Sequence, residues 1–238
     1  MLNINCDLGE GLNNEHIIMP LIDSCNIACG GHAGDNGSMI ECVEISIKNN
    51  VKIGAHPSYP DKINFGRKKI DISPSELSYS IISQIESLEI IADSYGLELN
   101  HIKAHGALYN QMFTDKDLSD FYLDTIKGFQ EECFIYVPYN SEIEKSALEK
   151  GFKIMYEAFG DRAYNDNLSL VSRNMKGALI NNPKLVIDQI ASIIDSKKIK
   201  SINDKYKSIK ADTICIHSDT DNSIKILKEI NKTFKNKK

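Results

Sequence analysis

No apolar run in this chain approaches the ~18 residues that a membrane-crossing helix needs, and no secretory signal opens it. A membrane span is excluded on length, and a reduced, cytoplasmic setting is expected. The six cysteines (Cys6, Cys25, Cys29, Cys42, Cys133, Cys215) have neither CxxC spacing nor the density of a disulfide framework. Several lie inside apolar runs, where a free thiol packs as a small hydrophobe. A basic cluster is also missing: 28 Lys and Arg against 33 Asp and Glu leave a net charge of −5 with both signs scattered, which argues against a nucleic-acid surface. The Lys-rich end, Lys228 to Lys238, reads as a solvated helix terminus. Two glycosylation-like triplets, at Asn36 and Asn167, carry no weight without a secretory signal. There is no G-x-x-x-x-G-K-[ST] phosphate loop, no G-x-G-x-x-G turn, no G-x-S-x-G elbow and no H-E-x-x-H. With no Gly/Ser/Pro linker and no fixed-period repeat, one domain over residues 1–238 is expected.

What the chain does have is histidine at the ends of strands. Five of its six histidines end or closely follow short apolar runs. Val51–His56, His101–His105 and Thr213–His217 end on one, and Cys25–Cys29 leads to His32. Leu2–Cys6 ends instead on Asp7, with Glu10 close behind. Two further runs, Cys133–Pro138 and Lys153–Phe159, bring the strand count to seven. Amphipathic stretches with start and stop signals lie between them. Ser73-Pro74-Ser75-Glu76 is a capping box that opens a helix toward Tyr95, which Gly96 can close. Thr114 or Asp115 can cap the next helix, Gly151 ends one begun near Ser141, and Asn182-Pro183 starts another. This alternation predicts right-handed βαβ crossovers and a parallel sheet, either a seven-stranded barrel or an open doubly wound sheet. In both, ligands bind at the carboxyl ends of the strands, where these titratable groups gather.

Asp7-Leu8-Gly9-Glu10-Gly11 places two carboxylates three residues apart at a turn, one able to hold a metal or orient a histidine while the other acts as acid or base. In Cys29-Gly30-Gly31-His32-Ala33-Gly34-Asp35 the glycines predict a close backbone approach and an anion-binding concavity faced by His32 and Asp35. After His56 comes a long loop, from Pro57 to about Ser73, of the kind that often forms lids or binding loops, and it carries Arg67. Strand alternation sends His101, Lys103 and His105 to one side, so Lys103 and His105 share a barrel lumen, where a lysine needs a partner or an anion. Asp161-Arg162, with Glu157 just before, and His217-Ser218-Asp219 complete the rim. Asp7, His32, His56 and His105 are the candidate ligands for a divalent metal.

Taken together these segments resemble the LamB/YcsF family, which supplies the A component of the prokaryotic three-component 5-oxoprolinase. The matching pieces are Asn5–Gly11, Asn26–Asp35, Gly54–Asp61, Phe65–Arg67, Lys103–Asn110, Glu157–Tyr164, Arg173 and Cys215–Thr220. They follow in order over nearly the whole chain. Departures are Gly160, Ala104, Lys68 and Ser218, where the family usually has alanine, proline, arginine and glycine. The resemblance implies an α/β fold, a seven-stranded β/α barrel similar to the glycoside hydrolase/deacetylase superfamily. It also implies ATP-dependent opening of 5-oxoproline to L-glutamate with two other 5-oxoprolinase subunits, ATP being a co-substrate bound here or by a partner.

On that footing Asp7, Glu10, His56, Lys103, His105 and Asp161 are the expected catalytic residues. Gly31, His32, Asp35, Arg67, Tyr109, Asn110, Arg162, His217 and Asp219 are the expected substrate-binding ones. Lys103 and Arg67 suit a carboxylate or phosphate, and Asp7, His56 or His105 would serve as base for water. No nucleic-acid or membrane partner is expected, and a homo-oligomer stays open. The competing readings are a metal-dependent deacetylase of an N-acyl sugar and a non-catalytic, partner-binding barrel.

Overall fold

The computed structural model describes residues 2–235. Its strands are β1 (Asn3–Leu8), β2 (Ser24–Ala28), β3 (Lys52–His56), β4 (His101–Ile102), β5 (Phe134–Pro138), β6 (Ile154–Phe159), β7 (Lys198–Lys200), β8 (Tyr206–Ser208) and β9 (Thr213–Cys215). Seven of them, β1 to β6 and β9, run parallel and close into a barrel. The open-sheet alternative is excluded because β1 pairs with β9 as well as with β2. Helices cover the outside: α1 (Glu15–Ile18), α2 (Asn36–Asn49), α3 (Pro74–Ser94), α4 (Gly106–Gln111), α5 (Lys116–Thr125), α6 (Glu142–Glu149), α7 (Pro183–Ser196) and α8 (Ser223–Ile230). The capping box at Ser73 forms in both directions, Asp115 rather than Thr114 caps α5, and Asn182 caps α7.

Strand parity divides each strand between two environments. Ile4, Cys6 and Leu8 of β1 are buried in the apolar layer under the helices, as are Ile53 and Ala55 of β3. The other parity faces the lumen, shown by contacts between strands that are not neighbours. His101 of β4 reaches Asn26 of β2 (Nε2 to Oδ1, 2.7 Å), and Ser24 of β2 reaches the Tyr136 hydroxyl of β5 (3.3 Å). A polar lumen inside an apolar shell explains why near-continuously buried strands still carry Asn, Asp, His, Lys and Glu. All six cysteines are buried and free.

Three expectations need correction. The run His101–His105 holds a strand ladder only over His101–Ile102, although Lys103 N–H still donates to Ala55 O (3.0 Å) and His105 N–H to Pro57 O (2.8 Å), so the predicted parity survives. Between α7 and β9 the antiparallel hairpin of β7 with β8 went unpredicted. Its strands are three residues long and Lys-rich, which leaves almost no periodic signal. At the Lys-rich end Lys228 and Lys232 stand exposed as a solvated terminus predicts, but Lys235 pairs with Asp23 (2.7 Å), and residues 236–238 of that expectation lie outside the described residues. Among the described residues no helix is long and apolar enough to cross a membrane.

Gly54 shows how tightly the lumen is packed. A Cβ there would lie 2.3 Å from His101 Nε2, and that ring is fixed by Asn26 and stacked on Tyr136 with centroids 4.0 Å apart. Gly54→Ala is therefore expected to cost about 1–3 kcal/mol by overpacking, read as a fall in Tm of roughly 2–4 °C per kcal/mol. An unchanged Tm would show that the His101 ring is free to move.

Candidate active site

The carboxyl ends of the barrel strands surround an open cavity of about 690 Å³. At its floor Lys103 Nζ is 2.9 Å from Asp7 Oδ1, 2.9 Å from Glu157 Oε1 and 3.2 Å from Cys215 Sγ. All four residues are buried. Asn26 Nδ2 also donates to Asp7 Oδ1 (2.7 Å), leaving Asp7 Oδ2 with only His56 Nε2 at 3.4 Å. Burial works to raise the Asp7 pKa, but His56 and Lys103 outweigh it and hold the carboxyl well below its usual range. Burial likewise opposes a charged Lys103, yet Asp7 foremost, together with Glu157, keeps the ammonium protonated, its pKa well above the ordinary lysine value. Burial pushes the Cys215 thiol up, so it faces Lys103 as a neutral thiol.

Beside this floor three imidazoles and a carboxylate come together. His56 Nδ1–H donates to Lys103 O (2.7 Å), and its Nε2 is 3.0 Å from His105 Nδ1. His105 Nε2–H donates to Phe65 O (3.0 Å). His32 stacks on His105 with ring centroids 3.6 Å apart and places Nε2 3.0 Å from Glu10 Oε1. Burial holds His105 well below the ordinary histidine pKa, helped by its neighbours His32 and His56, and burial lowers His32 too. The long loop after β3 lies directly on these rings. Gly66 makes that approach feasible: its φ is +61°, and a Cβ would stand 2.9 Å from His32 Cβ and 3.0 Å from His105 Cδ2.

The mouth is cationic. Arg67, Lys68, Lys69, Arg162 and Arg173 line it. Asp219 ties two of them, accepting from Arg67 (2.5 Å) and Arg173 (3.0 Å), and so links the loop after β3 to the segment after β6. Burial and the neighbouring Arg173 push the Arg162 pKa down to about 10. Arg162 donates to Val171 O (2.7 Å), while its Nε finds no partner. A smaller cavity of about 280 Å³ lies beside Tyr109, Glu157, Phe159 and Tyr164. Tyr109 lines both cavities, and Asn110 sits at their exposed rim.

Of the expected site residues, Asp7, His56, Arg67, Lys103, His105, Tyr109, Asn110, Arg162 and His217 line the main cavity. Others do not reach it. Asp35 is exposed and caps α2, accepting from Ser38 N–H (2.9 Å), so it is not a ligand-facing group. Gly31 exists for packing: a Cβ there would strike Gln84 Oε1 at 2.2 Å and Ser58 Oγ at 2.4 Å. In the same turn the Gly30 N–H is spent on Ala33 O (2.7 Å). Asp161 is fully buried and holds the β9 end, accepting from His217 N–H (2.9 Å) and Thr220 Oγ1 (2.6 Å). It orients His217 and does not meet the cavity. Glu10 and His32 sit behind His105. The expected metal set is also revised: Glu10, His32, His56 and His105 offer four ligand atoms within 4.8 Å of one another, whereas Asp7 falls in a separate group with Cys215 and His217.

Sequence reasoning missed Asn5 and Asn26, which support Asp7 and Lys103 from the lumen. Their signal was present as amides on the lumen parity of apolar runs. Lys69 and Asn174 of the mouth had none, being ordinary polar loop residues.

Comparison with known proteins accords with this barrel. A family model described as "LamB/YcsF family" matches residues 2–238. A Pyrococcus horikoshii protein, named as the A subunit of 5-oxoprolinase, is 37% identical over 240 residues, covering 98% of this chain and 93% of its own length. The crystal structure of the lactam utilization protein from Thermus thermophilus superposes with a TM-score of 0.89 at 30% identity, covering 97% of this chain and 96% of that one. A GH113 β-1,4-mannanase shares the barrel fold alone, with a TM-score of 0.53 at 11% identity, covering 97% of this chain and 98% of that one.

Proposed function

This chain belongs to the LamB/YcsF family, and from that premise we propose that it is the ring-opening subunit of a multi-component, ATP-dependent 5-oxoprolinase. The observation that carries the reading is the cavity itself, a cationic mouth above a floor where one carboxylate oxygen, Asp7 Oδ2, is left without a strong partner. One relative named for a 5-oxoprolinase subunit, and one named for lactam utilization, support the substrate class and the need for partner subunits.

A lactam is a resonance-stabilised amide and a poor electrophile. Transfer of the γ-phosphoryl group of ATP to the lactam oxygen forms an O–P bond, releases ADP and makes the ring carbon far more reactive. Arg67, Arg162 and Arg173 are placed to take the substrate carboxylate and the phosphoryl charge. Water then adds to the ring carbon. Asp7 takes its proton and returns it to the ring nitrogen as the C–N bond breaks. Loss of phosphate to a second water leaves glutamate. The low Asp7 pKa makes it a weak base, which the activated carbon tolerates, and it keeps the group ionised across the physiological range. Lys103, held protonated, keeps Asp7 ionised and fixed in position for the water.

Glutamate release from 5-oxoproline and ATP tests the reading, first with this chain alone and then with its two candidate partner subunits. Glutamate is expected only in the full mixture. None in either, with folded proteins, overturns it in favour of the metal-dependent deacetylase.

A further inference from the structure

We propose that Glu10, His32, His56 and His105 form a binding site for one divalent transition-metal ion, with Glu10 Oε1, His32 Nε2, His56 Nε2 and His105 Nδ1 as ligands. This goes beyond the ring-opening reading and does not depend on it.

The first argument is the direction of the lone pairs. A backbone carbonyl only accepts hydrogen bonds, so Lys103 O fixes the proton of neutral His56 on Nδ1, and Phe65 O fixes that of His105 on Nε2. The remaining nitrogens, His56 Nε2 and His105 Nδ1, then point lone pairs at each other across 3.0 Å. That contact is repulsive unless an electrophile lies between or beside them. Donating the far ring N–H to a carbonyl is how metal-ligating histidines are oriented and made more basic.

Spacing agrees. Glu10 Oε1 is 3.0 Å from His32 Nε2 and 3.7 Å from His105 Nδ1. Bonds of about 2.0–2.2 Å in a tetrahedron put neighbouring ligand atoms roughly 3.3–3.6 Å apart. The ring planes of His32 and His105 lie only 4° from parallel, so closing the set around an ion requires the His32 ring to tilt. His32 Nδ1 is buried and makes no hydrogen bond that would resist this.

Charge gives an independent reason for a doubly charged ion over a proton. Asp7 and Glu157 share the one ammonium of Lys103, and the Glu10 carboxylate is buried beside them against His32 and His105. One proton on an imidazole leaves that group a charge short, while a divalent cation balances it, and buried charge without a partner is costly. Three imidazoles with one carboxylate suit zinc, manganese, iron or cobalt and are poor ligands for magnesium. His56 and His105 line the main cavity, which provides a route in from solvent.

The test is metal content and position in the full-length chain, with no activity readout. The purified protein is equilibrated with Zn²⁺ or Mn²⁺, desalted and analysed by elemental mass spectrometry, and its crystals are examined by anomalous diffraction. One ion per chain is expected, with an anomalous peak among the four ligand atoms and uptake at least tenfold weaker in Glu10→Gln and His32→Gln. Absence of a peak there, uptake unchanged in both variants, or equal displacement by Mg²⁺ would each overturn the site. If a variant fails to fold by circular dichroism, the anomalous map of the unaltered chain decides alone.

Discussion

Lys103→Met is expected to destabilise the barrel by about 3–5 kcal/mol, because it removes the ammonium shared by two buried carboxylates and leaves both uncompensated. At roughly 2–4 °C per kcal/mol for a domain of this size, Tm should fall by about 6–20 °C. The loss is electrostatic and not one of packing, since methionine nearly fills the space of the lysine stem. Asp7 and Lys103 touch at 2.9 Å, so their substitutions should not add. The double variant Lys103→Met/Asp7→Asn should therefore recover at least about 1 kcal/mol relative to Lys103→Met alone. Melting curves of the three proteins settle this. If Lys103→Met melts within about 2 °C of the unaltered chain, the ion-pair floor is not what holds the lumen together.

This floor also shows what the sequence could reveal. The parity argument over His101–His105 put Lys103 and His105 on one side and implied a partner for the lysine. Both hold: the two side chains are buried at the same cavity, and Lys103 is paired to Asp7 and Glu157. Period-two alternation survives even where the ladder stops at Ile102, because the backbone N–H groups of Lys103 and His105 still bond to the neighbouring chain segment. The glycine turn after β2 is less legible. Glycine signals close approach but not what approaches, and at Gly31 it is Gln84 and Ser58 of the same fold, not an anion. Asp35 illustrates a similar limit: an aspartate before a helix serves equally as ligand or cap, and only the Ser38 hydrogen bonds distinguish them. Gly160, where the family usually has alanine, is explained by volume. A Cβ there would meet Ile216 Cδ1 at 2.7 Å and Ile190 Cδ1 at 3.1 Å, so these two isoleucines occupy the methyl's place. The pairing of Arg67 and Arg173 through Asp219 joins residues 46 to 152 positions apart, which spacing alone does not reveal.

On the proposed ring-opening reading, Asp7→Asn assayed with the candidate partner subunits is expected to lower kcat by about 10²–10⁴, the usual contribution of a positioned general base, with little change in KM. The amide keeps the shape of the side chain and can still accept from Asn26 and Lys103, but its Oδ2 position becomes an N–H₂ that cannot take a proton from water. Arg67→Ala should show the complementary pattern, a raised KM, because the guanidinium faces the mouth and not the reacting carbon. A second readout separates the water step from phosphoryl transfer. If Asp7 acts after phosphorylation, the variant should release about one ADP per site in a single turnover with no matching glutamate. Glutamate formed at the unaltered rate would remove Asp7 from the chemistry and favour a barrel that only binds its partners. Loss of ADP and glutamate together would instead place Asp7 before or at phosphoryl transfer. The two outcomes differ because only a carboxylate that meets water after the lactam oxygen is phosphorylated can uncouple the two products.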